Sequence, residues 1–175
     1  LTLLGLEHAW PTGDGDALEE ILGGLAFSTE VDGHLAGLVV NGRSFTAAEL
    51  RSPAVNRGVS VFAALPPIRH RLLPYQRSLR DFAPGAGFRG VVMEGRDIGS
   101  VVFPDARNRF FLEADSATRS ARRASEGQED SVTDRDRLDS SRPNAPLTCP
   151  AGAVRIDTGS IPAEEVAARI GETIR

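Results

Sequence analysis

Residues 109–123 read RFFLEADSATRSARR, and this stretch decides the fold class. Residues 109–114 form a short apolar run of the kind found in strands that are buried in a parallel sheet. Asp115 and Ser116 follow at once, and both residue types favour the start of a helix, so we predict a helix through Arg123. A strand that leads directly into a helix indicates an α/β protein.

Two flanking segments repeat this order of strand and helix. GVVME at residues 90–94 is predicted to be a buried strand, and AVRID at residues 153–157 is predicted to be a third. Pro162 then favours the start of a last helix, whose apolar residues recur every four positions. Alternating strands and helices predict a parallel sheet flanked by helices, and ligands bind such sheets beyond the carboxyl ends of the strands.

The first part of the chain has a different pattern. Helices are predicted at the apolar opening LTLLGL and at residues 17–25, where a pair of glycines ends the second helix. Residues 26–45 contain short β-like pieces, and the dipeptide Asn41-Gly42 is a strong hairpin signal. We therefore predict a small β-containing insertion in this region.

Helical spacing returns after the β-like pieces. It covers residues 47–64, is broken by Leu65-Pro66-Pro67, and resumes over residues 68–79 with one apolar face. Pro74 lies inside this last helix and is expected to kink it or to cost roughly 3 kcal/mol.

The composition bounds the class of protein. The 175 residues suffice for one domain with its own core, the apolar and charged fractions are ordinary, and no apolar run approaches the roughly 20 residues of a membrane span. Cys149 is the single cysteine and is interpreted as a loop thiol in a reducing compartment. His8, His34 and His70 have no metal-type spacing, so no structural metal is expected. We predict a soluble, cytoplasmic, monomeric protein without membrane attachment.

The charges point to a local rather than a general anion site. All 20 basic residues are arginine, and 24 acidic residues bring the net charge to -4, which argues against nucleic-acid binding. Arginine grips phosphate oxygens bidentately, so arginines clustered on one face indicate a phosphate site. The alternative explanation for the many arginines is that the genome encodes arginine at positions where other genomes encode lysine.

The stretch RDRLDSSRPNAPL, residues 135–147, carries one such cluster. Arg135, Asp139 and Arg142 are spaced i, i+4 and i+7, so a helix that ends before Pro143 would present all three on one face. A solvent-facing salt bridge, worth a few tenths of a kcal/mol, explains the same spacing and stays open on spacing alone.

A second cluster lies in the helix predicted after residue 114. Arg119, Arg122 and Arg123 are spaced i, i+3 and i+4, and three like charges on one face repel each other. An anionic ligand opposite this face would relieve the repulsion.

Acidic and basic side chains also follow the predicted strand 90–94. The stretch MEGRDIGSVVFPDA, residues 93–106, places Glu94, Arg96 and Asp97 directly after the apolar run. This is the edge of a parallel sheet at which ligands bind.

These stretches resemble the bacterial cytidylate kinases, a family within the nucleoside monophosphate kinase group. The resemblance covers nearly the whole chain in the family's order, and the first and third of the matching stretches are specific: EGRDIGSVVFPDA, ATRSARR, RDRLDSSRPNAPL, AVRIDTGSIPAEEV, and upstream VNGRSFTAAELRSPAVNRGVSVFAALPPIRHRLL. It implies a P-loop nucleoside monophosphate kinase fold, with residues 1–175 as one kinase domain, residues 26–64 as the acceptor-nucleotide-binding insertion and residues 119–142 as a short lid.

The resemblance also implies an acceptor site. Residues that match Ser60, Arg69 and Asp97 contact the cytosine ring in the family. A carboxylate can accept from the exocyclic amine of cytosine while an arginine donates to the ring acceptors, and such a site can discriminate by up to about 10⁴-fold. The residues matching Arg135 and Arg142 hold phosphate, and the one matching Asp139 holds the ribose hydroxyls.

Phosphoryl transfer from ATP, with Mg²⁺, to CMP or dCMP is the implied reaction. Arg96 would face the phosphates, and Arg119, Arg122 and Arg123 would neutralise charge on the transferring group. Such arginines can raise kcat by a factor of about 10³ to 10⁵, because phosphoryl transfer depends on positioning and charge stabilisation.

The chain departs from the family pattern in two places. The phosphate-binding loop GxxxxGK[ST] is absent, and no lysine occurs anywhere in the 175 residues. The expectation is that the numbering starts partway into a longer protein, that the N-terminal strand and loop are missing, and that these residues alone are inactive. Between Arg123 and Arg135 there are 11 residues, fewer than is usual for the family, so the lid is either of a short variety or incomplete.

Two other interpretations remain open at this point. A chain that keeps the acceptor pocket without the ATP site would be an inactive CMP-binding module. A structural α/β domain would require the aligned carboxylate and guanidinium groups to be accidental.

Overall fold

The computed structural model describes residues 1–125 and 148–174. The contacts divide the chain into two compact units, Leu1–Val91 and Val92–Arg175, each of which is described by itself. None of the helices in the described parts has the length and apolar character needed to cross a membrane.

The first unit consists of helices around one antiparallel hairpin. In chain order its elements are α1 (Thr2–Glu7), α2 (Gly15–Gly23), β1 (Phe27–Asp32), β2 (Leu35–Val40), α3 (Ala47–Leu50), α4 (Pro53–Ala64) and α5 (Pro66–Gly85). The helices predicted at the opening of the chain and near residues 17–25 are confirmed, as is the long helix that contains Pro74.

The predicted helix over residues 47–64 is two helices, because a cap and a proline restart the chain. Ser52 has an extended backbone and accepts a hydrogen bond from the Val55 amide, and Pro53 is the first residue of α4. A residue before proline is disfavoured in the helical region, so α3 ends and α4 begins at this point. Thr46 and Glu49 form a capping box that fixes the start of α3.

The predicted hairpin signal is confirmed as a tight turn beside the main hairpin. Strands β1 and β2 pair from Phe27↔Val40 to Asp32↔Leu35. Asn41 and Gly42 both have positive φ, 50° and 77°, and they close a further antiparallel bridge between Val40 and Arg43.

The core of the first unit lies between the helices and β2. Phe62 of α4 is only 5% exposed, and a Cβ added to Gly5 of α1 would lie 2.1 Å from its ring atom Cε1. Glycine at this position therefore permits the close approach of α1 and α4. The buried cluster comprises Leu4, Trp10, Leu18, Leu22, Val40, Phe62 and Ile68.

The second unit contains the predicted parallel pairing. Its elements are a π-helical turn (Ile98–Val102), β3 (Phe110–Glu113), α6 (Ser116–Ser125), β4 (Val154–Asp157) and α7 (Ala163–Ile174). Strands β3 and β4 pair in parallel from Phe110↔Val154 to Glu113↔Asp157, which confirms the predicted parallel arrangement. Asp115 accepts from the Thr118 amide at 2.8 Å and from its hydroxyl at 2.6 Å, so the predicted cap of α6 is also confirmed.

The strand predicted at residues 90–94 is wrong for this structure. The segment has no regular structure, and Val92 is 97% exposed. An apolar run forms a buried strand only when neighbouring strands pair with it, and none does within residues 1–125 and 148–174. Leu112 of β3 and Val154 of β4 are exposed as well, so the described parallel pair is not buried on both faces as predicted.

Candidate active site

The carboxyl ends of β3 and β4 lie side by side, and Thr158 joins them. The amide of Thr158 donates to the carbonyl of Glu113 at 2.7 Å, and the Thr158 hydroxyl donates to the same oxygen at 3.1 Å. Thr158 is 8% exposed, which makes it a buried polar residue with satisfied groups. A buried polar residue, held by two hydrogen bonds, therefore lies at the carboxyl edge of the strands, where parallel sheets bind ligands.

Two of the three arginines predicted to face an anion reach this edge. Arg122 donates through Nη1 to the Thr158 hydroxyl at 3.1 Å, and through Nη2 to the Thr158 carbonyl. Arg119 donates through Nε to the carbonyl of Ala114, the residue that follows β3, at 3.0 Å. Arg123 is half-buried on the same helix. The capped start of α6 thus places guanidinium groups beyond the strand ends.

A cavity of about 350 Å³ lies beside Arg122. Its walls come from the strand ends and from the start of α7, and they are Leu112, Arg122, Thr158, Ile161, Pro162, Ala163 and Val166. Ligand sites are commonly apolar cavities of about 300–1,000 Å³ with a few polar groups, and this cavity has that size and character. Arg122 and Thr158 are the polar residues of these walls, and the other lining residues are apolar.

Arg96 and Asp97 are held at the start of the π-helical turn, which the sequence did not predict. The carbonyl of Asp97 accepts from the amides of Val101 at 2.8 Å and of Ser100 and Val102, each at 3.3 Å. Arg96 and Asp97 are both half-buried. These three hydrogen bonds to its carbonyl therefore fix the backbone at Asp97.

Ser60 and Arg69 lie on neighbouring helices of the first unit. Ser60 is half-buried on α4, and Arg69 in the first turns of α5 donates through Nη1 to the Ala63 carbonyl at 3.4 Å. Ala63 is the penultimate residue of α4. The Arg69 guanidinium therefore lies at the carboxyl end of α4, and Ser60 lies three residues before the carbonyl that it binds.

The remaining predicted site residues lie outside the described part of the chain. These are Arg135, Asp139 and Arg142, together with the lid beyond residue 125.

Sequence reasoning missed the residues that fix the hairpin to α5. Arg71 donates through Nε to the Leu22 carbonyl at 3.0 Å and through Nη2 to the Leu25 carbonyl, with its guanidinium carbon 4.4 Å from the Phe27 ring centre. Tyr75 shares a hydroxyl hydrogen bond of 3.2 Å with Thr29 of β1. These partners are distant in the sequence, so no local pattern identified them.

A second missed cluster joins α1 to α3. Arg43 donates to both carboxylate oxygens of Glu7, at 2.6 and 3.1 Å, and to Glu49 at 2.9 Å. The hydrogen bonds from the Thr46 backbone and hydroxyl, and then that from Arg43, lower the pKa of Glu49 to about 2. The hydrogen bond from Arg43 also lowers the pKa of Glu7.

Comparison with known proteins assigns the chain to a family. The described residues form an α/β protein in which Arg119 and Arg122 lie at the carboxyl edge of a parallel strand pair, beside a cavity. The model of the cytidylate kinase family matches residues 1–175, and the chain belongs to that family. Membership implies the P-loop nucleoside monophosphate kinase fold, with which the α/β arrangement is consistent.

Several curated relatives are cytidylate kinases of bacteria. The enzyme of Caldanaerobacter subterraneus is 41% identical over 73% of this chain and 59% of its own length. The enzyme of Pelotomaculum thermopropionicum is 40% identical over 79% of this chain and 62% of its own length. The enzyme of Geobacillus thermodenitrificans is 36% identical over 99% of this chain and 80% of its own length. The chain therefore spans about three-fifths of the length of the first two relatives.

Proposed function

We propose that the protein containing these residues transfers the terminal phosphoryl group of ATP to CMP or dCMP, giving CDP or dCDP. The observation that carries the proposal is the position of Arg122, beside a cavity at the carboxyl edge of β3 and β4, in a chain of the cytidylate kinase family. The proposal assigns each predicted site residue a part in that reaction.

Four arginines among the predicted site residues would stabilise the charge of the transferring phosphoryl group. Arg119, Arg122 and Arg123, with Arg96, would neutralise the negative charge that spreads over the transferring phosphoryl group. A guanidinium is charged at any working pH and offers a rigid fork of donors, so it can follow the phosphoryl oxygens without a proton transfer. To do so, Arg122 exchanges its hydrogen bonds to Thr158 for hydrogen bonds to phosphate.

Recognition of the acceptor is the task of the second group. Asp97 would accept a hydrogen bond from the exocyclic amine of cytosine, while Arg69 and Ser60 bind the ring acceptors. Uracil has an acceptor where cytosine has that amine, so Asp97 would face it unpaired. Arg135 and Arg142 would hold the acceptor phosphate, and Asp139 the ribose hydroxyls.

The donor nucleotide is the third component. The cavity beside Arg122 has the size and apolar walls to take the adenine ring of ATP. Mg²⁺ bound to ATP would neutralise part of the phosphate charge. Within the described residues no group of three or more His, Cys, Asp or Glu side chains could hold a metal ion. Magnesium commonly relies on one or two carboxylates plus the substrate phosphates, so the metal would enter with ATP.

The net charge of -4 supports small nucleotides rather than nucleic acid as partners. The proposal includes a cytoplasmic, monomeric enzyme. It also includes the expectation that residues 1–175 assayed alone give no turnover, since they contain neither GxxxxGK[ST] nor any lysine.

The experiment is an assay of ADP release by the full-length protein with CMP, dCMP, UMP and AMP as acceptors. We expect turnover of CMP or dCMP to exceed that of UMP and AMP by at least about 100-fold in kcat/KM, because the base-reading groups go unpaired with other bases. Faster turnover of UMP than of CMP would overturn the proposal. Tight binding of CMP without any ADP release would favour the inactive binding module.

A further inference from the structure

Arg109 is the residue before β3, and its guanidinium binds three backbone carbonyls. Nη1 donates to Pro104 and, at 3.4 Å, to Gly99, and Nη2 donates to Ala151 at 2.9 Å. Gly99 lies within the π-helical turn, Pro104 lies just after it, and Ala151 lies in the loop before β4. One side chain therefore joins both ends of this turn to the start of the sheet.

Two glycines lie against this side chain. A Cβ at Gly99 would be in ordinary contact with Arg109 Cδ, at 3.5 Å, and in a tighter contact with Pro150, at 3.3 Å. A Cβ at Gly152 would lie 3.5 Å from Arg109 Nη2, and the φ of +77° at this residue favours glycine. The turn and the loop before β4 thus pack closely around the guanidinium. Lysine carries a single point of charge and could not reach all of these carbonyls at once.

The position of the guanidinium is fixed by its terminal nitrogens. Within residues 1–125 and 148–174, the Nε atom of Arg109 is buried and lacks a hydrogen-bond partner, an arrangement that costs about 1–3 kcal/mol. The hydrogen bonds of Nη1 and Nη2 hold the guanidinium against the carbonyls of the turn and of the loop.

The turn that Arg109 holds is the one that begins at Asp97. The carbonyl of Asp97 accepts from three amides of the turn, and Gly99 is two residues further along. Any movement of the turn therefore moves the backbone from which the Asp97 carboxylate extends.

We propose that Arg109 is a positioning residue that fixes the Asp97 carboxylate for base recognition by clamping the π-helical turn (Ile98–Val102). This inference rests on the proposed function, because it takes Asp97 to be the group that reads cytosine. In this role Arg109 acts through the turn, and its effect is expressed in recognition of the acceptor base.

The test uses the full-length protein with Arg109→Gln, and with Arg107→Gln as the matched control on the same loop. Arg107 is exposed, and we expect its replacement to leave KM and base preference at wild-type values. In Arg109→Gln we expect KM for CMP to rise about tenfold, the CMP to UMP ratio of kcat/KM to fall about tenfold, and KM for ATP to change less than twofold. Arg109→Lys restores part of the ratio.

Hydrogen exchange supplies a readout that does not depend on catalysis. The amides of Ser100, Val101, Val102 and Phe103 exchange at least about tenfold faster in Arg109→Gln, whereas the amides of α7 keep their wild-type rates. If Arg109→Gln does not fold, Arg109→Met keeps the aliphatic stem, removes the donors and gives the same readouts.

Three results overturn the inference, and they can be told apart. A wild-type protein that does not phosphorylate CMP refutes the proposed function and the inference with it. Wild-type CMP turnover with an unchanged CMP to UMP ratio in the folded Arg109 variant refutes only the positioning role. A uniform loss of kcat for all acceptors would also refute it, since that would show a general structural effect.

Discussion

Nη1 of Arg122 lies 3.1 Å from the hydroxyl of Thr158, and Nη2 of the same arginine donates to the Thr158 carbonyl. This pair connects α6, which follows β3, to the residue that follows β4. The arginine proposed to stabilise the transferring phosphoryl group therefore lies at the strand ends. It is held there by hydrogen bonds that it can exchange for a phosphate.

Replacing Arg122 separates a catalytic role from a purely structural one. We expect Arg122→Ala in the full-length enzyme to lower kcat about 10³-fold, because phosphoryl transfer depends on such charges. Thr158→Val removes the hydroxyl partner at similar volume, so it should cost about 1 kcal/mol of stability and change kcat less than about threefold. Steady-state kinetics and thermal unfolding measure the two effects. If Arg122→Ala lost stability and kept its kcat, Arg122 would be only a structural clamp.

Base recognition is tested at Asp97. Asp97→Ala should raise KM for CMP and relax the preference for CMP over UMP by about 10- to 100-fold, since the acceptor for the cytosine amine is lost. Arg135→Ala is the contrasting variant, and it should lower kcat with little change in base preference. The measurement is kcat/KM for both nucleotides. An Asp97→Ala enzyme with wild-type preference would contradict the assignment.

Acid stability is tested at Glu49. The pKa of Glu49 is about 2 in the folded protein and ordinarily 4.5, so its bonds to Thr46 and Arg43 stabilise the fold above about pH 4.5. That stabilisation should decline as the pH falls from 4.5 towards 2. Glu49→Gln should lower the unfolding temperature at pH 7 and show a weaker decline over this pH range. Glu19→Gln, at an exposed position of α2, is the control. Equal pH profiles for Glu49→Gln and the wild type would refute this role.

Close packing of α1 on α4 is tested at Gly5. Gly5→Ala places a methyl group against the Phe62 ring and should cost about 1–3 kcal/mol, or a few degrees in unfolding temperature. Gly23→Ala meets nothing within 4 Å and should be neutral or slightly stabilising. Differential scanning calorimetry compares the two. An unfolding temperature for Gly5→Ala equal to that of Gly23→Ala would show that the helices separate freely.

Local signals predicted the parts of the fold that local chemistry controls. Asp115 caps α6 as its residue type indicates, and Asn41-Gly42 forms a tight turn because both residues tolerate positive φ. The parallel order of β3 and β4 follows from the alternation of strands and helices. These features depend on a few consecutive residues.

Features that depend on distant partners could not be predicted in this way. Residues 90–94 have the composition of a buried strand, but strand formation requires a neighbour, and their own composition does not reveal whether one pairs with them. Arg71 binds a carbonyl 49 residues away, and Arg109 binds one 42 residues away. For the site, the arginines of α6 were predicted by spacing, whereas the hydrogen bonds of Arg122 to Thr158 and the cavity beside it required the tertiary structure.

The exposure of Val92 has a practical consequence for handling the 175-residue chain. Residues 90–94 are mostly apolar, and their backbone pairs with no strand of the described residues. The same segment of a second molecule can pair with them, so the chain should self-associate as its concentration rises. Light scattering would follow this growth, and a lysine in place of Val92 should suppress it by charge repulsion.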